Sequence, residues 1–211
     1  LPWFDPLSGE SPVALGKKLA SDPKSFAEMI KLAFRSKNDL DDSVEKQDEK
    51  KKNIVERAYT LLHNWKHCPG VQEDGTLDEA LFHHWITEAR RITEETGHEI
   101  IAQVELGHVL TYAPKDPDGL WIHKAVASVL NQRDTEKMRR NFMIALMNQR
   151  GVYSFSHGSQ ERELARGYRE KAEALDIAGY TRFATAMREL ADQYDADAER
   201  DERGDPFEDY A

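Results

Sequence analysis

Apolar residues recur along most of the chain at the spacing of an amphipathic helix. One such stripe follows Asp22 at positions i, i+3, i+4, i+7 and i+8 and consists of Phe26, Met29, Ile30, Ala33 and Phe34. Similar stripes occupy the segments that begin near residues 48, 78, 98, 120, 134, 160 and 180. No alternation typical of a β-strand is sustained. The pattern therefore predicts an all-α fold of eight or nine helices.

Proline, glycine and helix-capping residues mark the boundaries between these segments. Asp22-Pro23 pairs a favourable N-cap residue with proline at the first helical position, where the missing N–H costs nothing. Residues 68–76 and the linker 114–119 contain helix-breaking proline and glycine, and Gly179 separates the last two helices. Since most connections are short, we expect antiparallel helix hairpins that form an irregular bundle or a short solenoid.

The net charge of −10 is concentrated in two stretches. Residues 39–50 carry a net charge of −4 and residues 192–211 one of −7, so the rest of the chain is close to neutral. A near-neutral body lacks the clustered positive charge that a large nucleic-acid-binding face needs. Charge and helix pattern together predict an N-terminal helical segment packed on the body (1–37), an acidic loop (38–47), a helical body (48–203) and an acidic tail (204–211).

Several function classes lack their sequence signature. No apolar run reaches the ~18–20 residues of a membrane span, so we expect no membrane partner. The pair Gly16-Lys17 has neither the upstream glycine nor the following hydroxyl residue of a phosphate-binding loop, and no nucleotide or other cofactor is predicted. The single cysteine, Cys68, cannot form an internal disulfide, which favours a cytoplasmic location. The chain begins without methionine, and we expect it to be a piece of a longer protein.

The stretch HNWKHCPG, residues 63–70, raises the hypothesis of a metal site, because two histidines four apart and a thiol are potential ligands. Two pairs with ExxH spacing follow, and the candidate ligands are His63, His67, Cys68, His98, Glu105 and His108. This hypothesis leads to a metal-binding or hydrolytic domain as the alternative function. In the competing interpretation, Pro69 and Gly70 end the third helix, and Trp65 anchors that end to the core.

A second candidate surface is basic. It consists of Arg133, Lys137, Arg139, Arg140 and Arg150, which avoid the apolar stripe of the seventh helix. Such a face could contact an acidic partner, including this chain's own acidic tail, or, as a weaker alternative, a nucleic acid. No aromatic residues suited to base stacking accompany the charges, which disfavours nucleic acid. Trp3 and Phe4, which precede the first helix among prolines, are further candidates for contact with a neighbouring domain.

Four segments of the chain are similar to a known group of proteins. They are residues 59–80, 112–131, 138–155 and 161–202, which begin YTLLHNWKHC, YAPKDPDGLW, MRRNFMIALM and ERELARGYRE. Together they resemble the C-terminal region of large bacterial multidomain proteins whose role is not settled. The resemblance implies a domain appended to other machinery, and it carries over no catalytic residue. With no catalytic motif found, the sequence favours a non-catalytic helical protein-interaction or scaffold domain that binds another domain or subunit of a larger bacterial protein.

Overall fold

The computed structural model describes residues 12–34, 49–149 and 158–202, where the regular structure is helical apart from one isolated antiparallel bridge between Val71 and Leu77. The helices are α1 (Pro12–Ser21), α2 (Pro23–Ala33), α3 (Glu49–His63), α4 (Glu79–Glu95), α5 (Glu99–Leu110), α6 (Lys124–Leu130), α7 (Glu136–Asn148), α8 (Ser159–Ile177) and α9 (Thr181–Glu202). The predicted all-α fold of eight or nine helices is thus confirmed for these residues.

The helices belong to two compact units, Leu1–Pro114 with α1–α5 and Lys115–Ala211 with α6–α9. The boundary lies in the linker 114–119, and the predicted body (48–203) takes in parts of both units. The predicted acidic loop (38–47) and acidic tail (204–211) lie outside the described residues. Among the helices of the described part, none combines the length and the apolar composition that crossing a membrane requires.

Phe26 of α2 lies at the centre of the first unit. Its side chain is fully buried, and its ring centroid lies 5.4 Å from that of Trp65 and 5.3 Å from that of Trp85. The indole N–H of Trp65 donates to the carbonyl oxygen of Gly16 (3.0 Å), and that of Trp85 donates to Leu19 (3.1 Å). Because buried indole N–H groups need a partner, these bonds satisfy the tryptophans and also hold α1 in place.

The third helix ends at His63, two residues earlier than the apolar pattern indicates. In the turn after it, Gly70 has a φ of +79°, a left-handed conformation that favours glycine. A Cβ at this position would lie 2.8 Å from the Cβ of Phe82, so the turn packs directly on α4. Asp78 then caps α4, because its carboxylate accepts the backbone N–H of Leu81 (3.0 Å).

Three aromatic rings form the centre of the second unit. Phe142 of α7 and Phe183 of α9 are buried with their ring centroids 5.4 Å apart, and the ring of Trp121 lies 5.8 Å from that of Phe183. α8 and α9 form the predicted hairpin, in which Gly179 reverses the chain with a φ of +87°.

The sixth helix begins at Lys124, four residues after the predicted start at Leu120. The buried Asp116 holds the preceding turn, because its carboxylate accepts the backbone N–H groups of Asp118 (2.9 Å) and Lys124 (2.8 Å). The imidazole Nδ1 of His123 caps the helix by accepting a backbone N–H of its first turn. Side-chain hydrogen bonds therefore fix as a turn a stretch that the apolar pattern alone predicts to be helical.

Asn131, at the C-terminal end of α6, caps a different helix. Its side-chain oxygen accepts the backbone N–H groups of Arg182 (2.8 Å) and Phe183 (3.2 Å) at the start of α9. The chain then enters α7 at Glu136. As a result, α7 and α9 begin at the same end of the second unit.

Candidate interaction groove

α7 and α9 pack together and leave between them a groove of about 560 Å³, here called the α7–α9 groove. The α7 wall consists of Glu136, Arg139, Arg140, Met143, Ile144 and Met147. The α9 wall consists of Arg182, Thr185, Ala186, Glu189, Leu190 and Gln193. On both helices these residues fall at i, i+3, i+4, i+7, i+8 and i+11. Each helix therefore contributes one continuous face about 16 Å long, or three turns.

The middle of the groove is apolar. Met143 and Leu190 are buried, while Ile144 exposes 42% of its surface. Met147 and Ala186 are partly exposed. This combination of a buried apolar floor and exposed apolar walls offers area that an incoming apolar side chain can cover.

The end of the groove at which both helices begin is positively charged. Arg139 donates through Nη1 to the carbonyl oxygens of Leu130 (2.7 Å) and Gln132 (3.1 Å), which satisfies acceptors at the end of α6. Burial lowers the pKa of the Arg139 guanidinium; Glu136 and Glu189 offset part of this effect, and the neighbouring Arg182 adds to it. The group nevertheless stays charged at neutral pH, because the pKa of arginine starts so high.

Arg140 and Arg182 differ from many arginines of the described ranges in having no carboxylate partner there. Those with an ion pair are Arg91, Arg162, Arg166, Arg169, Arg188 and Arg200. Glu136 and Glu189 also line the groove, but neither pairs with Arg140 or Arg182 within 4.0 Å. The two guanidinium groups are therefore available to a carboxylate from outside the described part of the chain.

The predicted basic surface overlaps the groove only in part. Arg139 and Arg140 line it, whereas Arg133 and Lys137 are exposed outside it. The other predicted contact residues, Arg150, Trp3 and Phe4, lie outside the described residues. As predicted, the apolar stripe on the other face of α7 is buried: Met138, Phe142 and Ala145.

The sequence prediction lacked the α9 wall. Arg182 and Leu190 are separated from the α7 residues by more than 30 positions, and no local pattern indicates that the two helices meet. The signal that could have been used is the face of α9 from Arg182 to Gln193, which repeats at i, i+3 and i+4 and mixes apolar and charged residues.

The six candidate metal ligands are dispersed over the first unit. His67 packs beside α1, where a Cβ on Gly16 would come within 2.8 Å of its Nδ1. Cys68 is buried, and burial raises the pKa of its thiol to about 12. At the start of α5, the ring nitrogens of His98 lie 3.1 Å from Thr96 Oγ1 and 3.2 Å from the carbonyl oxygen of Phe34. Both ring nitrogens of His98 are thus engaged in hydrogen-bonding contacts, whereas the buried Nδ1 of His67 has no hydrogen-bond partner among the described residues.

His63 and His108 do come together, but as stacked rings. Their centroids lie 6.2 Å apart with an interplanar angle of 10°. The ring of Tyr59 stacks on His63, and the ring of Tyr112 meets His108 edge-on. Burial, His63 and the nearby Lys66 lower the pKa of the His108 imidazole. The arrangement therefore favours the neutral form of the His108 imidazole.

Glu105, one turn before His108 on α5, is partly buried and has no ion pair with the residues that the structure describes. Burial raises the pKa of its carboxyl to about 7. Across the described ranges, no group of three or more His, Cys, Asp or Glu side chains is placed to hold a metal ion. The six candidates thus do not converge on one centre, because α3 ends before His67 and His98 is used at the start of α5.

Comparison of the chain with protein-family models, with curated proteins and with solved structures gives no match. The α7–α9 groove and the surfaces of the first unit are therefore the features on which a function can be proposed.

Proposed function

We propose that this chain is a non-catalytic helical protein-interaction domain, and that its α7–α9 groove binds an acidic amphipathic helix of a partner protein. The observation that carries the proposal is the pair of matching helix faces, apolar in the middle and bearing unpaired arginines at one end. The expected place of the domain, in a larger bacterial protein in the cytoplasm, belongs to the same proposal.

The shape of the groove favours a helix as the bound element. Helices dock into hydrophobic grooves through apolar residues at i, i+3, i+4 and i+7, and three turns present such a set. The partly exposed Ile144 and Met147 would pack between these residues, and the flexible methionine side chains adapt to different partners. A third helix laid between α7 and α9 would complete a local three-helix packing.

The charges favour acidic residues near one end of that helix. Arg140 and Arg182 can each form bidentate hydrogen bonds with a carboxylate, while the opposite end of the groove, at Met147 and Gln193, is uncharged. A helix with its acidic residues at one end would therefore bind in a single orientation. The glutamates of the groove, Glu136 and Glu189, would disfavour peptides that are acidic along their whole length.

The test uses the whole chain to select binders from a library of helix-forming peptides, followed by affinity measurement through fluorescence anisotropy. We expect the selected peptides to carry one apolar stripe and acidic residues at one end. Ile144→Glu places a charge in the apolar middle and should weaken binding about tenfold or more. The matched control is Ile177→Glu on α8, at an isoleucine that exposes 83% of its surface, which should leave the affinity unchanged.

Reversal of one charge tests the orientation separately. Arg140→Glu should weaken binding about tenfold, whereas Arg166→Glu, at an exposed arginine of α8, should have little effect. If the selected peptides bind both isoleucine variants equally well, or if basic peptides are selected, the groove does not have the proposed role. Circular dichroism of each variant confirms that the helices are retained.

A further inference from the structure

The first unit contains a second cavity of about 560 Å³, here called the Lys66 pocket. It lies between the end of α1, the turn after α3, the start of α4 and the end of α5, and the residues that matter here are Lys17, Lys66, Val71, Leu81, His84 and Tyr112. Its volume falls within the range of small-molecule sites. It is a separate site from the α7–α9 groove, which belongs to the second unit.

The lining of the pocket has the opposite charge to the chain. The chain has a net charge of −10, but the lining includes two lysines, two histidines and one carboxylate, that of Glu73. Neither Lys17 nor Lys66 forms an ion pair with a carboxylate of the described residues, although Lys124 of the second unit does. The Lys66 Nζ instead lies 5.8 Å from the centre of the Tyr112 ring. Two lysines thus line one cavity, and neither forms an ion pair with a carboxylate of the described residues.

Part of the remaining lining of the pocket is apolar. Leu81 exposes 52% of its surface and Val71 37%, although both are large hydrophobic side chains. Trp85 also lines the cavity, and its indole N–H already donates to Leu19. An apolar ligand body would cover this surface and gain the corresponding hydrophobic stabilisation.

The frame around the pocket is held in place before any ligand binds. Trp85 fixes α1 to α4 through its hydrogen bond, and the turn at Gly70 packs on Phe82 so closely that a Cβ would not fit. The backbone that carries the walls is therefore fixed to the folded core of the first unit, and binding would require little reorganisation.

We propose that the Lys66 pocket binds a small organic carboxylate with a flat apolar body. The carboxylate would accept hydrogen bonds from the ammonium groups of Lys17 and Lys66. The apolar body would pack against Val71 and Leu81, beside the ring of Tyr112.

Isothermal titration calorimetry with 2-naphthoate tests this assignment, and 2-naphthamide serves as the neutral compound of the same shape. At low salt we expect 2-naphthoate to bind and 2-naphthamide to bind about tenfold more weakly, because it lacks the charge. Lys66→Ala should weaken the binding of 2-naphthoate about tenfold. The matched control, Lys31→Ala at an exposed lysine of α2, should leave it unchanged.

An Arg140→Glu variant identifies the site, because the arginines of the α7–α9 groove could also attract a carboxylate. Retention of binding in this variant supports the Lys66 pocket. The proposal is overturned if 2-naphthoate produces no saturable heat, if 2-naphthamide binds equally well, or if Arg140→Glu removes binding while Lys66→Ala does not. Lys66 is exposed, so its replacement should leave the circular dichroism spectrum unchanged.

Discussion

Replacement of Phe26 by alanine is expected to lower the free energy of unfolding by about 4 kcal/mol, the range measured for buried aromatic residues. The ring is fully buried and lies between the indoles of Trp65 and Trp85, so its removal leaves a cavity lined by large rigid groups that cannot collapse. Those indoles also hold α1 through their hydrogen bonds to Gly16 and Leu19, and loosening them would weaken that attachment.

Urea titration of the whole protein, followed by tryptophan fluorescence and circular dichroism, measures this effect. Leu32→Ala on the same helix is the matched control, because Leu32 exposes 38% of its surface and its truncation should cost less than about 1 kcal/mol. A loss at Phe26 no larger than the loss at Leu32 would show that the aromatic cluster is not the centre of the first unit.

Replacement of Glu105 by glutamine is expected to stabilise the protein by about 2 kcal/mol at pH 8.5 and to have no effect at pH 4. The pKa of this carboxyl is about 7 in the folded protein and close to the ordinary value of 4.5 in the unfolded chain. Below pH 4.5 both states are protonated, and the folded state has its full stability. As the pH rises through about 7, the buried group must ionise, and that stability is lost. Partial exposure of the carboxyl reduces the effect from the full value of the pKa shift.

Urea titrations of the wild type and of Glu105→Gln at several pH values test this dependence. The glutamine variant resembles the protonated acid, so its advantage should grow between pH 5 and pH 8 (about 1.4 kcal/mol for each unit of pKa shift). Glu94→Gln, at an exposed position of α4, serves as the control and should show no such trend. An advantage of the same size at pH 4 and pH 8.5 would indicate a packing effect rather than ionisation. The pKa of His108 is lowered instead, so this residue reduces the free energy of unfolding as the pH falls below about 6.5, the ordinary pKa of histidine.

The helices and their local ends could be predicted from the sequence, because they depend on neighbours a few positions apart. The apolar stripe around Phe26, the caps at Asp22 and Asp78 and the reversal at Gly179 are examples of such short-range information. The start of α6 could not be placed, because the hydrogen bonds of Asp116 replace the first helical turn that the apolar residues indicate.

Of the two walls of the α7–α9 groove, only the α7 wall could be predicted from the sequence. Arg139 and Arg140 were found because they share a helix face, but Arg182 and Leu190 reach the same groove through tertiary packing. The cap of α9 by Asn131 is similar, since the bonded residues are 51 and 52 positions apart. For the metal hypothesis, spacing could relate His63 to His67 and Glu105 to His108, but it could not indicate that the rings of His63 and His108 meet. It could not show that their rings stack face to face instead of converging on an ion.

The common starting end of α7 and α9 has a consequence for how a partner approaches. Each helix carries the equivalent of about half a positive charge at its N-terminus, because the dipoles of its peptide units are aligned. Here both N-termini lie at the same end of the groove, and their positive ends add to the field of Arg139, Arg140 and Arg182. A negatively charged ligand would therefore be attracted and turned before it touches the apolar floor, and the association rate would fall with added salt more than the dissociation rate would rise.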